Sequence, residues 1–300
     1  MNSIDIESKK FLGQPKNFVS IFNALLFDGQ QVLKPEYLKD ENSELVMNVS
    51  SKHVDIIKRY EDGTYLDLFV IESQSYVDQC MVARVMEYES VARMRYIRQN
   101  FKKHVPMHTR LPMILTVVLY VGETKWNAAK RLSELEIIHP GFEDMFNEFK
   151  LNLIELNTNH KYNTGEKATQ DFFDLLRMIY RKQILKEDLD REFNRDALYF
   201  AYVVTKNKEL LNIYQESEKG DVKVCRALDE MFEESTNKGI QMGIKQGIEQ
   251  GIEQGVERGA KNTQIKIAIK MLVRNNQTLE EISEIVGLDL DALRELKKSI

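Results

Sequence analysis

The apolar stretch YLDLFVIESQSY at 65–76 ends in Glu72, Ser73, Gln74 and Ser75. Leu, Phe, Val and Ile favour a dry β-strand, and the two-residue side-chain period sends Glu72 and Gln74 out from one face at its end. A carboxylate and a carboxamide so placed need a polar partner. Asp55 stands earlier, in HVDIIKRY at 53–60, and strand pairing can bring its carboxylate to the sheet end that carries Glu72. Two carboxylates there are hard oxygen ligands for Mg²⁺, or for Mn²⁺. Such an ion lowers the pKa of bound water and stabilises charge on a phosphate under attack, which is the chemistry of phosphodiester hydrolysis. The spacing is also met by a merely solvated strand end, with Asp55 paired to a basic neighbour such as Lys52.

A second cluster lies downstream. Between residues 93 and 110, RMRYIRQNFKKHVPMHTR carries Arg93, Arg95, Arg98, Lys102, Lys103 and Arg110 with no acidic residue, beside Tyr96 and Phe101. The net charge of the chain is −5, so any affinity for nucleic acid has to come from such a local patch. Two readings stand: cations suited to a helix C-terminus, or a ridge in which Arg and Lys contact phosphates and aromatic rings stack on bases.

These residues must be held by elements that the pattern predicts. KNFVSIFNALLF at 16–27 has apolar residues at helical spacing and is stopped by Asp28-Gly29. Residues 44–50, 53–60 and 64–73 read as three β segments, the last two joined by Glu-Asp-Gly, a hairpin signal. A long helix is expected from about Val77 to Phe101, then strands at 113–121 and 149–156. An antiparallel hairpin feeding a helical crossover gives a mixed α/β sheet with packed helices. From 161 to 236 the chain reads as a helical module.

At 300 residues and 43% hydrophobic composition the chain can bury a sizeable core. Its longest apolar run, MILTVVLYV at 113–121, is too short for a membrane span and the N-terminus shows no apolar signal region, so a cytoplasmic protein without membrane contact is expected. Cys80 and Cys225 form no C-x-x-C pair and read as core thiols, excluding a disulfide framework or a Cys-based zinc site.

The tail changes character. Gly239, Gly243, Gly247, Gly251, Gly255 and Gly259 recur every fourth residue. In a helix that step overshoots the turn by about 40°, so the Gly and Ile rows spiral instead of keeping one face. Glycine at about 0.8–1 kcal/mol per residue makes such a helix marginal alone. The 237–262 repeat therefore reads as a tether in an isolated chain, or as a helix where a second copy covers its isoleucines, which points to a homodimer. In 263–300, Thr278 with Glu281 forms a capping box, Gly287 closes that helix and Asp289 starts the next, giving a terminal helical hairpin that packs, dimerises or reads DNA.

The ordered set of an Asp, a strand and Glu-x-Gln resembles the PD-(D/E)XK nuclease fold, in which Lys usually occupies the position held here by Gln74. More closely, IESQSYVDQCMVARVMEYESV resembles the signature of the Rpn-type recombination-promoting nucleases, the YhgA-like transposases, in which an acidic residue and Gln-Ser end the strand and the next helix carries Arg and Tyr four residues apart. Arg84 and Tyr88 stand at those positions. RLPMILTVVLYVGETKWNAA and the glycine repeat ending in EISEIVGL extend the likeness over most of the chain. The resemblance implies a PD-(D/E)XK-like mixed sheet flanked by helices over 1–160 and a metal-dependent DNA endonuclease. In it Asp55 and Glu72 bind Mg²⁺ or Mn²⁺, Gln74 positions water, and Arg84 with Tyr88 supports the site or touches phosphate. Ser20 and Val54 depart from the family, where Asp and Arg are frequent, and motivate the alternative of a DNA-binding protein that keeps the fold without its chemistry.

Overall fold

The computed structural model describes residues 3–41, 56–63, 66–184, 188–217 and 220–300. The expected strand at 44–50, together with Val54 and Asp55, lies outside the described residues. The chain divides into two compact units, Met1–Phe232 and Glu233–Ile300.

In the first unit, helices α1 (Ser3–Leu12) and α2 (Pro15–Phe27) precede a five-stranded sheet of order β1-β2-β3-β4-β5, formed by Leu38–Asp40, Ile56–Glu61, Leu66–Gln74, Ile114–Tyr120 and Asn152–Glu155. The first three strands are antiparallel, with Ile56 opposite Ile71 and Glu61 opposite Leu66, and the Asp-Gly turn takes a positive φ at Gly63. β3, β4 and β5 run parallel, and helix α3 (Met81–Asn100) lies in sequence between β3 and β4. The crossover helix starts at Met81, later than its apolar pattern suggests, and Asp78 Oδ1 accepts the backbone N–H of Cys80 at its entry. Cys80 is exposed at this helix start and Cys225 is buried, so only Cys225 is a core thiol.

β3 is dry on both sides because each face has its own cover. Phe69 and Ile71 pack with Phe18, Ile21 and Phe22 of α2 and with Phe172, Leu175 and Leu176 of α4 (Lys167–Arg181). Leu68 and Val70 pack with Tyr88 and Ala92 of α3 and with Ile57 and Ile114. The helices after residue 160 share the α2-side core: α5 (Arg195–Thr205) adds Leu198, Phe200 and Ala201, and α6 (Lys208–Glu216) adds Leu210. Ser20 of α2 is fully buried, and its hydroxyl lies within hydrogen-bond distance of Asn17 O and of Thr169 Oγ1, 2.8 Å from each.

An ion cluster ties this helical stretch together. Asp171 and Asp174 of α4 and Asp188 are all buried, and Arg191 reaches each of them, at 2.7 Å for Asp174 and 3.3 Å for Asp188. Lys167 pairs with Asp171 at 2.7 Å and Arg177 with Asp174 at 2.9 Å.

Helix α7 (Cys225–Arg274) contains the whole glycine repeat. A Cβ added at any of Gly239 to Gly259 would meet nothing within 4 Å, and Ile240, Ile244, Ile248 and Ile252 are each more than half exposed. Close packing within the chain therefore does not require those glycines. In the second unit, α8 (Leu279–Val286) and α9 (Leu290–Lys298) close a small core of Ala268, Leu272, Ile282, Val286 and Leu293. The capping box of Thr278 and Glu281, the left-handed Gly287 and the Asp289 cap are all present. No helix among the described residues is long and apolar enough to cross a membrane.

Candidate active site at the carboxyl end of the sheet

The face of β3 that meets α3 continues from Leu68 and Val70 to Glu72 and Gln74, so the apolar alternation ends in two polar side chains. Both are buried, at 3% and 5% exposure, which rules out a merely solvated strand end. Glu72 Oε1 accepts from Gln74 Nε2 and from Arg84 Nη2, each at 3.0 Å. Arg84 comes from the first turn of α3, which starts at the carboxyl end of β3 because only a short connection separates the two.

Arg84 is itself locked. Its Nε and Nη2 donate to the Tyr88 hydroxyl at 3.1 and 2.8 Å, one helical turn on, and its Nη1 donates to Asp78 Oδ2. Burial opposes the guanidinium charge, but the hydrogen bonds to Asp78 and Tyr88 and the charge of Glu72 outweigh it and push its pKa above the usual value. Burial first, and then the Glu72 charge, raise the Tyr88 phenol, so this hydroxyl keeps its proton at neutral pH.

Along the same sheet end, Gln74 pairs in register with Tyr120 and Tyr120 with Glu155. Glu155 is buried; its Oε1 accepts the backbone N–H of Trp126 at 2.9 Å and its Oε2 pairs with Lys130 at 3.3 Å. It thereby pins the loop after β4. Gly122 in that loop lies against the end of β3: a Cβ there would stand 2.7 Å from the Ser75 carbonyl oxygen and 2.5 Å from the Tyr120 hydroxyl. Gly122→Ala is expected to displace the end of β3 and destabilise the first unit by about 1–3 kcal/mol. Thermal unfolding with an unchanged midpoint would show that the two strand ends do not press on each other there.

Glu72, Gln74, Arg84 and Tyr88 thus converge, whereas Arg95, Arg98, Lys102 and Lys103 do not join them. The latter follow α3 toward the opposite end of the sheet, where the chain re-enters β4 and Met113 O accepts from Leu68 N. Asp55 lies outside the described residues. Asp78 and Glu155 complete the surroundings of the site and went unread in the sequence. Asp78 had a signal as an acidic residue just ahead of a helix, and Glu155 had the same signal as Glu72, a carboxylate ending an apolar strand.

The described donors suit a hard divalent cation in kind: the Glu72 carboxylate and the Gln74 carboxamide oxygen, with Asp78 and Arg84 beside them. Among the described residues no three His, Cys, Asp or Glu side chains converge on one point, so that set needs a further ligand. Comparison with curated proteins and with solved structures gave no match. Over residues 9–210, which include Glu72, Gln74, Arg84 and Tyr88, the chain matches the family described as "Putative transposase, YhgA-like", and it belongs to that family.

Proposed function

We propose that this chain is a metal-dependent DNA endonuclease of the recombination-promoting type, built on a PD-(D/E)XK-like sheet and hydrolysing DNA phosphodiester bonds. The observation that carries this reading is the buried Glu72 carboxylate at the carboxyl end of a dry strand, in contact with Gln74 and backed by Arg84. A buried carboxylate is costly unless it is paired and hydrogen-bonded, as Glu72 is by Arg84 and Gln74, and such pairs at the end of a dry strand are enriched at functional sites.

Glu72, with Asp55, would hold Mg²⁺ or Mn²⁺. Such an ion would supply an acidified water and charge neutralisation at the phosphate. Gln74 donates to Glu72 through Nε2, which leaves its carboxamide oxygen to orient a water. Arg84 acts as a positioning residue: its contacts to Glu72, Asp78 and Tyr88 use its donors within the protein, so a strut under Glu72 fits it better than a direct phosphate contact. Tyr88 fixes the guanidinium in turn.

Two observations favour a second reading, DNA binding without cleavage: Glu72 is already ion-paired to Arg84, and Ser20 is engaged with Thr169. Calorimetry with Mg²⁺ and Mn²⁺, beside nicking of supercoiled plasmid with and without chelator, separates the two. Metal uptake and nicking that both disappear in Glu72→Gln and Asp55→Ala support the endonuclease. Nicking that survives in both variants sinks the assignment, and duplex binding with no metal uptake supports the second reading.

The same reading expects a homodimer, since a double-strand break needs two sites and the exposed isoleucine row of α7 gains a surface to bury against. In sedimentation the full chain is expected to run as a dimer at micromolar concentration and a truncation after Glu234 as a monomer. Two dimers would move the contact into the first unit, and two monomers would remove it.

A further inference from the structure

Helix α3 leaves the Glu72 site and runs back along the sheet. Arg84 touches Glu72, Glu89 Oε1 accepts the backbone N–H of Thr116, and Ala92 packs with Ile114 at the far end. At about 100° per residue, Arg84, Tyr88, Arg95 and Arg98 fall within an arc of roughly 80° on one flank of the helix. At 1.5 Å per residue, Arg84 and Arg98 are separated by about 21 Å. Arg98, Lys102, Lys103 and Arg110 are exposed, and the stretch from 93 to 113 holds no Asp or Glu in a chain of net charge −5. Arg84 is paired with Glu72 and Asp78 and Tyr88 is buried, so the exposed cations of this flank gather at its far end, in the last turn of α3 and the segment after it.

We infer that this flank is a rail for the backbone of duplex DNA, leading from the Glu72 site to the basic segment 95–103. The inference rests on the endonuclease reading for what happens at one end of the rail, but not for the rail itself. A rod-shaped polyanion suits the arrangement because it is long enough to lie on the exposed cations at the far end of α3 and still reach the proposed cutting site. At 3.4 Å per step, about 21 Å corresponds to roughly six base pairs, so the scissile bond lies about six base pairs from the phosphate anchor. Duplexes with fewer base pairs on that side of the cut should bind weakly, whatever their sequence.

Full-length protein is titrated in chelator, where cleavage does not proceed, with a fluorescent duplex of about 20 base pairs, a length several times that of the rail. The variant is the triple Arg98→Gln/Lys102→Gln/Lys103→Gln. The triple, made of exposed side chains, is expected to keep the wild-type melting temperature and to make the slope of log Kobs against log salt shallower by about 3, close to one unit per lost contact. An unchanged slope in a folded triple variant overturns the rail. So does wild-type binding to vesicles rich in anionic phospholipid with no binding to the duplex, because the cations and the exposed Met107 would then serve a lipid surface. A shallower slope in the triple with no nicking by the wild type keeps the rail and removes the endonuclease reading.

Discussion

Replacing Glu72 by Gln is expected to lower metal-dependent plasmid nicking by at least about 10³-fold, equivalent to roughly 4 kcal/mol of transition-state stabilisation, while the protein stays folded. The substitution keeps the volume of the side chain, so the contacts of the buried strand end survive. Its Oε1 can still accept from Arg84 Nη2 and Gln74 Nε2 at the 3.0 Å positions of the wild type. The substitution removes the carboxylate charge and turns one acceptor oxygen into an NH2, so the site loses its one described anionic ligand for Mg²⁺ and keeps only neutral amide oxygens beside a fixed guanidinium. Arg84 keeps its ion pair with Asp78, which limits the stability cost. The check is a time course of supercoiled plasmid loss with matched circular dichroism of both proteins. Activity within about tenfold of the wild type, a barrier change of only ~1.4 kcal/mol, would place the chemistry elsewhere.

Arg191→Ala is expected to have the largest effect on stability. Three buried carboxylates surround this guanidinium, and Arg191 is the cation that reaches Asp188 among the ion pairs of the described residues. Breaking a buried ion cluster by removing one partner costs about 3–5 kcal/mol, because the remaining charges are left without compensation. For a unit of this size that corresponds to a fall in melting temperature on the order of 10 °C. The effect should depend on pH. Burial first, and then the charge of Asp174, raise the Asp188 carboxyl above its usual value, while Arg191 holds it back. An acid with a raised folded-state pKa weighs least on the fold when it is protonated, and its stabilising contribution is lost as pH rises through the folded-state value. Removing Arg191 moves that window upward, so the deficit of the variant should be greatest at pH 8 and shrink toward pH 5. A deficit that grew on acidification would mean that the lost ion pairs themselves, and not the stranded carboxylates, set the stability.

Much of the fold is legible in the sequence because its signals are local. The period-3.6 run of α2, the Asp-Gly hairpin between β2 and β3, the apolar runs of β4 and β5 and the capping box of α8 each state their own structure within a few residues. The polar end of β3 is legible for the same reason, since Glu72 and Gln74 interrupt a strand that otherwise reads as dry. Arg84 and Tyr88 came only through a resemblance, but their four-residue spacing is a helical one, and they do bond to each other.

Tertiary structure decided what spacing cannot. That Arg84 lies under Glu72, with Asp78 on its other side, depends on a right-length turn between β3 and α3 and on parallel pairing of β3 with β4. The separation of Glu72 from Arg98 follows from the direction of α3, since one sequence stretch supplies both ends of a helix about 30 Å long at 1.5 Å per residue. The buried cluster around Arg191 joins residues from α4 to the segment before β6 (Glu192–Phe193), and nothing local marks those aspartates as interior. The glycine repeat shows the opposite limit: intrinsic propensity argues against a helix, yet the repeat is continuous with α-helical residues on both sides, and propagation along an existing helix spares it the cost of nucleation.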